Sequence, residues 1–292
     1  MNVPLTYRKR VITQSDLSLI VKVIDEYRSE GRSAISRRLC EVWGWRQANG
    51  QLKDGVCRGL LLQLERNQLI TLPSRIIDNN NNSQRRRITP ATFDFQPTPL
   101  TSALSDLTPI ELRQVRRSPE EKLFNTLIQQ YHYLGYSQPV GEHLKYLAYA
   151  KGRVIAGFAF SSAPYAIDHR DTFIGWSVEA RECNRHLLAY NTRFLILPWV
   201  RVPHLASHLL GRISRTISED WQKIYNHPLL WLETFIDTER FTGTCYKAAN
   251  WTFLGLTSGR GKYNKTQKQL TSIKAMYGYP LSRDFRTRLC HG

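Results

Sequence analysis

The residues of this chain that could carry out acid–base chemistry lie in its second half. All eight histidines occur at or beyond position 132, where His132 and Tyr133 are adjacent. Asp237 ends an apolar segment, and Tyr246 follows it closely. Histidine, carboxylate and tyrosine side chains serve enzymes as general bases and proton donors. We therefore predict one cleft that contains His132 or Asp237 as the base, Tyr246 as a proton donor, and also Tyr133 and Arg193.

Asp237 has a second interpretation that needs no catalysis. An aspartate after a strand can accept hydrogen bonds from the backbone of the next turn, here residues 238–240, and so cap it. The C-terminal end of a strand is also where α/β folds place functional groups. Glu233 precedes Asp237 by four residues, which is about 13 Å along an unbroken strand. On an unbroken strand the two carboxylates therefore cannot act as a coupled pair. For Asp237 alone, a functional role and a capping role both stay open.

Two further motifs resemble ligand sites only in part. His204 and His208 have a spacing that metal sites use, but the glutamate of an HExxH motif is missing, so phosphate or solvent contact is favoured. The basic turn 258–262 lacks the glycine and hydroxyl residues of a phosphate-binding P-loop. We expect its Arg260 and Lys262 to contact a phosphate backbone. The five cysteines are widely spaced without a CxxC motif, so we predict no metal site and reduced thiols in the cytoplasm.

The chain as a whole is strongly basic. Its 292 residues include 41 Lys and Arg against 24 Asp and Glu, a net charge of +17. Such an excess favours a polyanionic partner, with DNA ahead of an acidic membrane surface. Hydrophobic residues make up 41% of the chain, which excludes wholesale disorder. No segment approaches the roughly 20 apolar residues of a membrane span, and no apolar signal segment begins the sequence, so no membrane role is expected.

The first 75 residues predict three helices followed by a short strand. Apolar residues recur at helical spacing in the segments 17–24, 35–43 and 56–64. The following residues 69–72 form a short β-like run that Pro73 ends. This order is typical of a helix-turn-helix domain with a wing, so we predict a winged-helix-like DNA-binding domain over 1–75. A three-helix bundle with a solvated basic face is the alternative. The side chains expected at DNA are Arg37, Arg38, Lys53 and Arg58.

The rest of the chain predicts a linker and a larger domain. Residues 76–104 contain a four-asparagine run, an arginine triplet and three prolines, which indicate a linker. Strands and helices alternate from residue 105 onward. Late in the chain a strand, a helix, a strand and a helix follow one another, which predicts an α+β domain with a mixed sheet and a central parallel pair. Strands are predicted at 110–115, 144–149, 154–161, 193–200 and 229–237, and helices at 119–131, after Pro203 and at 242–250.

Three long strings of this second domain resemble a known family. Residues 131–147, 191–221 and 229–261 are similar, in this order, to the DruA family. That family consists of components of Druantia anti-phage defence systems, and related domains accompany transposase genes. The resemblance implies a role in antiviral defence and implies other defence-system proteins as partners. It brings no established reaction with it.

A second resemblance concerns chemistry. The pattern G-x-x-Y-x-A-x-N-W-x-x-x-G runs from Gly243 to Gly255, Asp237 precedes it, and a His-Tyr pair lies upstream at 132–133. These motifs resemble the phage Mom-type proteins, which modify adenine in DNA and belong to the GNAT acyltransferase superfamily. The resemblance implies a GNAT-like domain over 105–292 that acts on a DNA base. It places the histidine, tyrosine and aspartate near the reacting centre.

The turn that would bind an acyl cofactor departs from that superfamily. Acyl-CoA-binding GNAT domains hold the pyrophosphate on a glycine-rich turn, whereas residues 199–206 contain no glycine and Pro203 lacks an amide proton. The cofactor is therefore left unknown, although Arg201 could contact a phosphate. Two functions follow: a GNAT-like transferase acting on DNA bases, or a non-catalytic DNA-recognition module or transposition accessory protein.

Overall fold

The computed structural model describes residues 5–7, 10–47, 50–74, 98–259 and 272–291. It divides into two compact units, Met1–Arg87 (unit 1) and Ile88–Gly292 (unit 2). The division falls within the segment 76–104, of which residues 76–97 lie outside the described residues, as does residue 75. Arg260 and Lys262 of the basic turn also lie outside the described residues.

Unit 1 contains a short hairpin and three helices. In chain order its elements are β1 (Leu5–Tyr7), β2 (Arg10–Ile12), α1 (Gln14–Glu26), α2 (Arg32–Val42) and α3 (Asp54–Arg66). The hairpin strands are antiparallel. Thr13 caps α1 through a capping box with Asp16. The buried faces of the three helices form one core, which confirms the helical periodicity of this region.

The β-like segment 69–72 is not a strand, which corrects the expectation of a closing β element. Ile70 and Leu72 are buried in the core of unit 1. The backbone of this segment bonds to side chains instead of a strand partner. Glu65 Oε1 accepts from Leu72 N (3.3 Å), and Arg32 Nε donates to Pro73 O (2.7 Å). The segment therefore closes the helical core as irregular chain, and side chains of α2 and α3 hold its end at Leu72 and Pro73.

Unit 2 is a mixed α+β structure. Its elements are β3 (Leu100–Thr101), β4 (Ile110–Gln114), α4 (Glu121–Tyr131), β5 (His143–Ala150), β6 (Arg153–Ser162), α5 (Asp168–Ile174), α6 (Val178–Asn184), β7 (Leu188–Ile196), β8 (Val200–Arg201), α7 (Leu205–Tyr225), β9 (Trp231–Asp237), α8 (Thr244–Ala248), β10 (Thr252–Leu256), β11 (Lys274–Pro280) and α9 (Phe285–Cys290). Seven strands form one sheet in the order β10-β11-β9-β7-β6-β5-β4. Among the described residues of this sheet, only the β7–β9 pair is parallel, and the short strands β3 and β8 form a separate parallel pair. The mixed sheet with a central parallel pair is therefore confirmed.

The parallel pair separates along its length. β7 and β9 are paired only from Leu188 and Trp231 as far as Asn191 and Thr234. Beyond that point β7 stays with β6, and β9 stays with β11 up to the pairing of Asp237 with Lys274. A bulge in the β6–β7 ladder lies at the point of separation. The sheet therefore opens between its two central strands, and side chains from both strands border the gap.

Two sequence expectations for unit 2 shift in the structure. The strand predicted at 193–200 spans Leu188–Ile196, because its first residues form the parallel ladder with β9. Pro203 precedes the helix rather than opening it, since α7 begins at Leu205 after His204 in the left-handed conformation (φ 62°). The helix predicted after Pro203 is present as α7, and its apolar residues at every fourth position are buried against the sheet.

Among the described residues, no helix combines the length and apolar character of a membrane span.

Candidate functional site

A cavity of about 660 Å³ occupies the gap between β7 and β9, and we call it the strand cleft. Its walls are mainly apolar and aromatic side chains of both strands, of the end of α4 and of the turn before α8. Three cations also line it: Arg193, Arg240 and Lys274. Among the described residues, no Asp or Glu lines the strand cleft. The site is therefore both aromatic and positively charged.

Four of the predicted site residues meet in the strand cleft. His132, Tyr133, Arg193 and Tyr246 line it, although they come from three separate parts of unit 2: the end of α4, β7 and α8. Asp237 and Arg201 do not line it. The predicted shared pocket thus exists without its carboxylate.

Asp237 is a buried turn cap in this geometry. Its Oδ1 accepts from Glu239 N (3.2 Å), and its backbone oxygen accepts from Arg240 N (3.2 Å) and Phe241 N (2.9 Å). The carboxylate also lies 3.9 Å from Arg240 Nε. These contacts match the capping interpretation, and they hold Arg240 and Phe241 in place at the strand cleft.

The Tyr246 hydroxyl is fixed at the floor of the cleft. It donates to Asn191 Oδ1 (2.7 Å), and the Asn191 amide group donates in turn to the carbonyls of Ala159 and Arg193 (3.0 Å each). Burial raises the pKa of Tyr246 far above its ordinary value. Tyr246 is therefore a neutral hydroxyl whose proton is already engaged.

His132 is uncharged at neutral pH. Burial, with a contribution from the nearby Arg193 charge, lowers its pKa to about 4. Leu134 N donates to His132 Nδ1 (3.2 Å), so the neutral ring carries its proton on Nε2. The ring therefore offers a hydrogen-bond donor to the cleft rather than a free basic nitrogen.

This shift of the His132 pKa leads to a prediction on stability. Between pH 6.5 and about 4 the unfolded chain binds a proton at His132 and the folded chain does not. Stability from this group is therefore present above pH 6.5 and is lost as the pH falls towards 4. We expect His132→Asn, which keeps an acceptor for Leu134 N, to reduce the loss of unfolding free energy over that range by about 1–2 kcal/mol. Urea unfolding of the wild type and of His132→Asn at pH 7 and pH 4.5 measures this loss. Equal losses in the two proteins would contradict the prediction.

An aromatic surface forms the mouth of the cleft. The His132 and Tyr133 rings are stacked with centroids 4.8 Å apart, and the Phe241 ring lies 5.5 Å from that of Tyr133. Arg240 Cζ lies 5.2 Å from the centre of the Tyr133 ring. Tyr133 is 39% exposed and Phe241 is 51% exposed. Both rings are therefore partly open to solvent at the mouth of the cleft.

The turn before α7 does not fit an acyl-CoA pyrophosphate. Pro203 has no amide proton, His204 adopts the left-handed conformation, and Leu205 N bonds back to Val202 O (3.3 Å). Ala206 alone of this turn lines the strand cleft. The convergent amides that hold a pyrophosphate are thus not formed here. In the described part of the chain, no three side chains of His, Cys, Asp or Glu come close enough together to bind a metal ion. His204 and His208 therefore have no third ligand among these residues.

The expected DNA contacts of unit 1 lie on its helices. Arg37 and Arg38 are exposed on α2, and Arg58 is exposed on α3. Arg38 pairs with Glu41 and Arg58 with Asp54, each at 3.2 Å on the same helix. Lys53 is the N-cap residue of α3. Exposed ion pairs of this kind are weak, so they leave the arginines available for a phosphate.

Four cleft residues that matter for the function were not predicted from the sequence: Asn191, Arg240, Phe241 and Lys274. Asn191 left a usable signal, since a polar amide inside an apolar strand calls for a buried hydrogen-bond partner. Arg240 lies in the turn that Asp237 caps, and the capping interpretation could have pointed to it. Lys274 left no signal, because its position depends on the register of β11 against β9.

Comparison with solved structures finds acetyltransferases. An N-acetyltransferase from Staphylococcus aureus Mu50 is 11% identical with a TM-score of 0.36, and the match covers 59% of this chain and 97% of that one. A spermidine N-acetyltransferase from Vibrio cholerae is 11% identical with a TM-score of 0.38, over 60% of this chain and 95% of that one. Similarity at this level assigns no activity. No curated protein matches the chain.

Comparison with protein families gives a specific match. The family described as Druantia protein DruA matches residues 63–286, which include the end of α3, all strands of the seven-stranded sheet and every described residue of the strand cleft. The match spans about three quarters of the chain. The chain therefore belongs to the DruA family.

Proposed function

We propose that this DruA-family chain is a DNA-binding component of an anti-phage defence system and that its strand cleft receives a nucleotide unit of the DNA. One observation carries the proposal: the cleft combines aromatic rings with three cations and, among the described residues, no carboxylate. A nucleotide has the complementary composition, a planar base joined to an anionic phosphate. Membership of the DruA family supports the defence role.

The parts of the cleft suit different parts of a nucleotide. The exposed Tyr133 and Phe241 rings offer a stacking surface, and stacking of a base on an aromatic side chain contributes about 1–3 kcal/mol. Arg240 and Lys274 supply positive charge for a phosphate. His132 Nε2–H supplies a hydrogen-bond donor for a base edge. Base and phosphate contacts thus lie within one cavity.

Recognition fits this geometry better than proton abstraction. His132 presents a donor, the Tyr246 proton is engaged by Asn191, and burial raises the pKa of the Cys245 thiol. Asp237 caps its turn outside the cleft. The described lining residues therefore include no free general base. We accordingly favour DNA recognition as the role of the strand cleft.

A transferase that modifies DNA bases is the second candidate. Its support is the cavity volume of 660 Å³, which lies within the range of roughly 300–1,000 Å³ typical of small-molecule sites and leaves room for a donor molecule beside a base. The seven-stranded sheet with one central parallel pair is also the arrangement that a GNAT-like domain requires. Mass spectrometry of nucleosides from DNA incubated with the protein and cell extract separates the candidates. A new nucleoside mass supports the transferase, and unchanged nucleosides support recognition.

DNA binding itself is tested by its dependence on salt. Residues 1–104 carry 16 Lys and Arg against 9 Asp and Glu (16 − 9 = +7), and residues 105–292 carry 25 against 15 (25 − 15 = +10). Because both parts are basic, we expect the full chain to contact several phosphates and its affinity to fall steeply as salt rises. Fluorescence anisotropy of a labelled duplex between 50 and 200 mM salt measures this slope. Absence of binding at the lowest salt would contradict the proposal.

A further inference from the structure

A second, smaller cavity lies beside the strand cleft, and we call it the inner cavity. Its volume is about 230 Å³, and it lies among α4, β5, β6, β7 and the loop after α4. Its polar lining comes mainly from Ser137, Lys145, Ser161, Thr192 and Arg193. Thr192 and Arg193 also line the strand cleft. The two cavities therefore meet at Arg193.

Arg193 is a half-buried cation without an acidic partner among the described residues. Its guanidinium donates to Gly135 O (2.8 Å), Thr192 O (2.7 Å) and Ser137 Oγ (3.2 Å), all of them uncharged acceptors. Burial lowers the pKa of this guanidinium, which reflects a positive charge that is poorly solvated. A guanidinium has five N–H groups, and these three hydrogen bonds use one each. Two N–H groups therefore remain for a further acceptor. An anion would compensate the charge.

Ser161 is a buried hydroxyl without a hydrogen-bond partner among the residues that the structure describes. It is 8% exposed, and its buried Oγ atom accepts from and donates to none of the described groups. A buried polar group in this state costs free energy unless a ligand satisfies it. The hydroxyl lines the inner cavity together with Arg193. This is a second observation, independent of the arginine, that a polar ligand belongs there.

Lys145 frames the inner cavity without being available to a ligand. Its ammonium group donates to Glu121 Oε1 (2.7 Å), Asn125 Oδ1 (2.9 Å) and the Tyr136 hydroxyl (2.8 Å), which uses all three of its protons. The Glu121 carboxylate neutralises its charge. The net positive charge of the inner cavity therefore comes from Arg193.

We propose that the inner cavity binds a small oxyanion group, a carboxylate or a phosphate, between the Arg193 guanidinium and the hydroxyls of Ser161 and Ser137. The guanidinium fork matches two oxygens of such a group. Ser161 donates its unpaired hydroxyl proton, and Ser137, which accepts from Arg193, is free to donate its own. The site does not depend on DNA binding in the strand cleft.

The test titrates the full-length protein with sodium acetate and with sodium phosphate at constant ionic strength, with sodium chloride as the reference. The readouts are the ¹⁵Nε chemical shift of Arg193 and the melting temperature. We expect saturable changes with at least one of the two oxyanions. Acetate alone identifies a carboxylate site, phosphate alone a phosphate site, and both a general oxyanion site. No change beyond that seen with chloride overturns the proposal.

Variants separate binding from folding. Ser161→Ala removes a hydroxyl that has no partner among the described groups, so we expect unchanged or higher stability but at least about tenfold weaker anion binding. Ser161→Val fills part of the cavity and should abolish binding. Arg193→Gln should abolish it too, whereas Arg215→Gln removes an exposed arginine on α7 and should leave it unchanged. Full affinity in both Ser161 variants, or equal losses in the Arg193 and Arg215 variants, overturns the proposal.

Discussion

Replacing Arg240 and Lys274 together by glutamine should weaken the binding of DNA by the full chain about 10- to 100-fold at low salt. Both side chains line the strand cleft, where we place the phosphate of the bound nucleotide. Each lost phosphate contact reduces the slope of log affinity against log salt by about 0.9. Because both cations are assigned to the phosphate of one nucleotide, the double variant should show a slope that is shallower by about one. Fluorescence anisotropy at several salt concentrations measures both quantities.

A matched pair outside the cleft controls for net charge. Arg215→Gln with Lys223→Gln also removes one arginine and one lysine, both exposed on α7 and absent from the cleft lining. We expect this control to change affinity by only a fewfold, through the general field of the protein. Equal losses in the two double variants would show that net charge, and not the cleft, determines DNA binding.

The largest loss of stability is expected from Arg170→Met. Arg170 and Glu233 are both fully buried, and Arg170 Nη1 lies 3.2 Å from Glu233 Oε1. Removing one partner leaves a buried carboxylate without compensation, which typically costs about 3–5 kcal/mol. Burial already raises the pKa of Glu233 to about 7, so the orphaned group is protonated at low pH. We therefore expect a larger loss of unfolding free energy at pH 8 than at pH 5.5.

Urea unfolding at the two pH values measures this loss. The double variant Arg170→Met with Glu233→Gln removes the orphaned charge. It should therefore regain part of the lost stability, and most of the difference between the losses at pH 8 and pH 5.5 should disappear. A loss below about 1 kcal/mol in the single variant at pH 8 would show that the buried pair is not needed for the fold.

The predictable part of the fold is the part with a strong local signal. The order strand, helix, strand and helix late in the chain predicted the mixed sheet with a central parallel pair, which the structure contains. Residues 69–72 had a β-like composition, but the structure has no strand there, and Leu72 N and the adjacent Pro73 O bond to the side chains of Glu65 and Arg32. Tertiary contacts determine the conformation of this segment, and its amino-acid composition does not show which contacts it will make.

The candidate site was predictable in its residues more than in its geometry. His132, Tyr133, Arg193 and Tyr246 could be named from the sequence, and the structure brings them together. The position of Asp237 outside the cleft depends on which way one turn folds back. The charge of the cleft depends on the register of β11, which brings in Lys274. Neither quantity is encoded in a local pattern.

The most direct test of the account is ultraviolet cross-linking of the full chain to single- and double-stranded DNA, followed by mass spectrometry of the joined peptides. Aromatic side chains that stack on a base cross-link efficiently only at close contact. The account predicts cross-links at Tyr133 or Phe241, at the exposed mouth of the strand cleft. These cross-links should decrease when Arg240 and Lys274 are replaced by glutamine. Efficient cross-links confined to unit 1, with none in the strand cleft, would contradict the claim that the cleft receives the DNA.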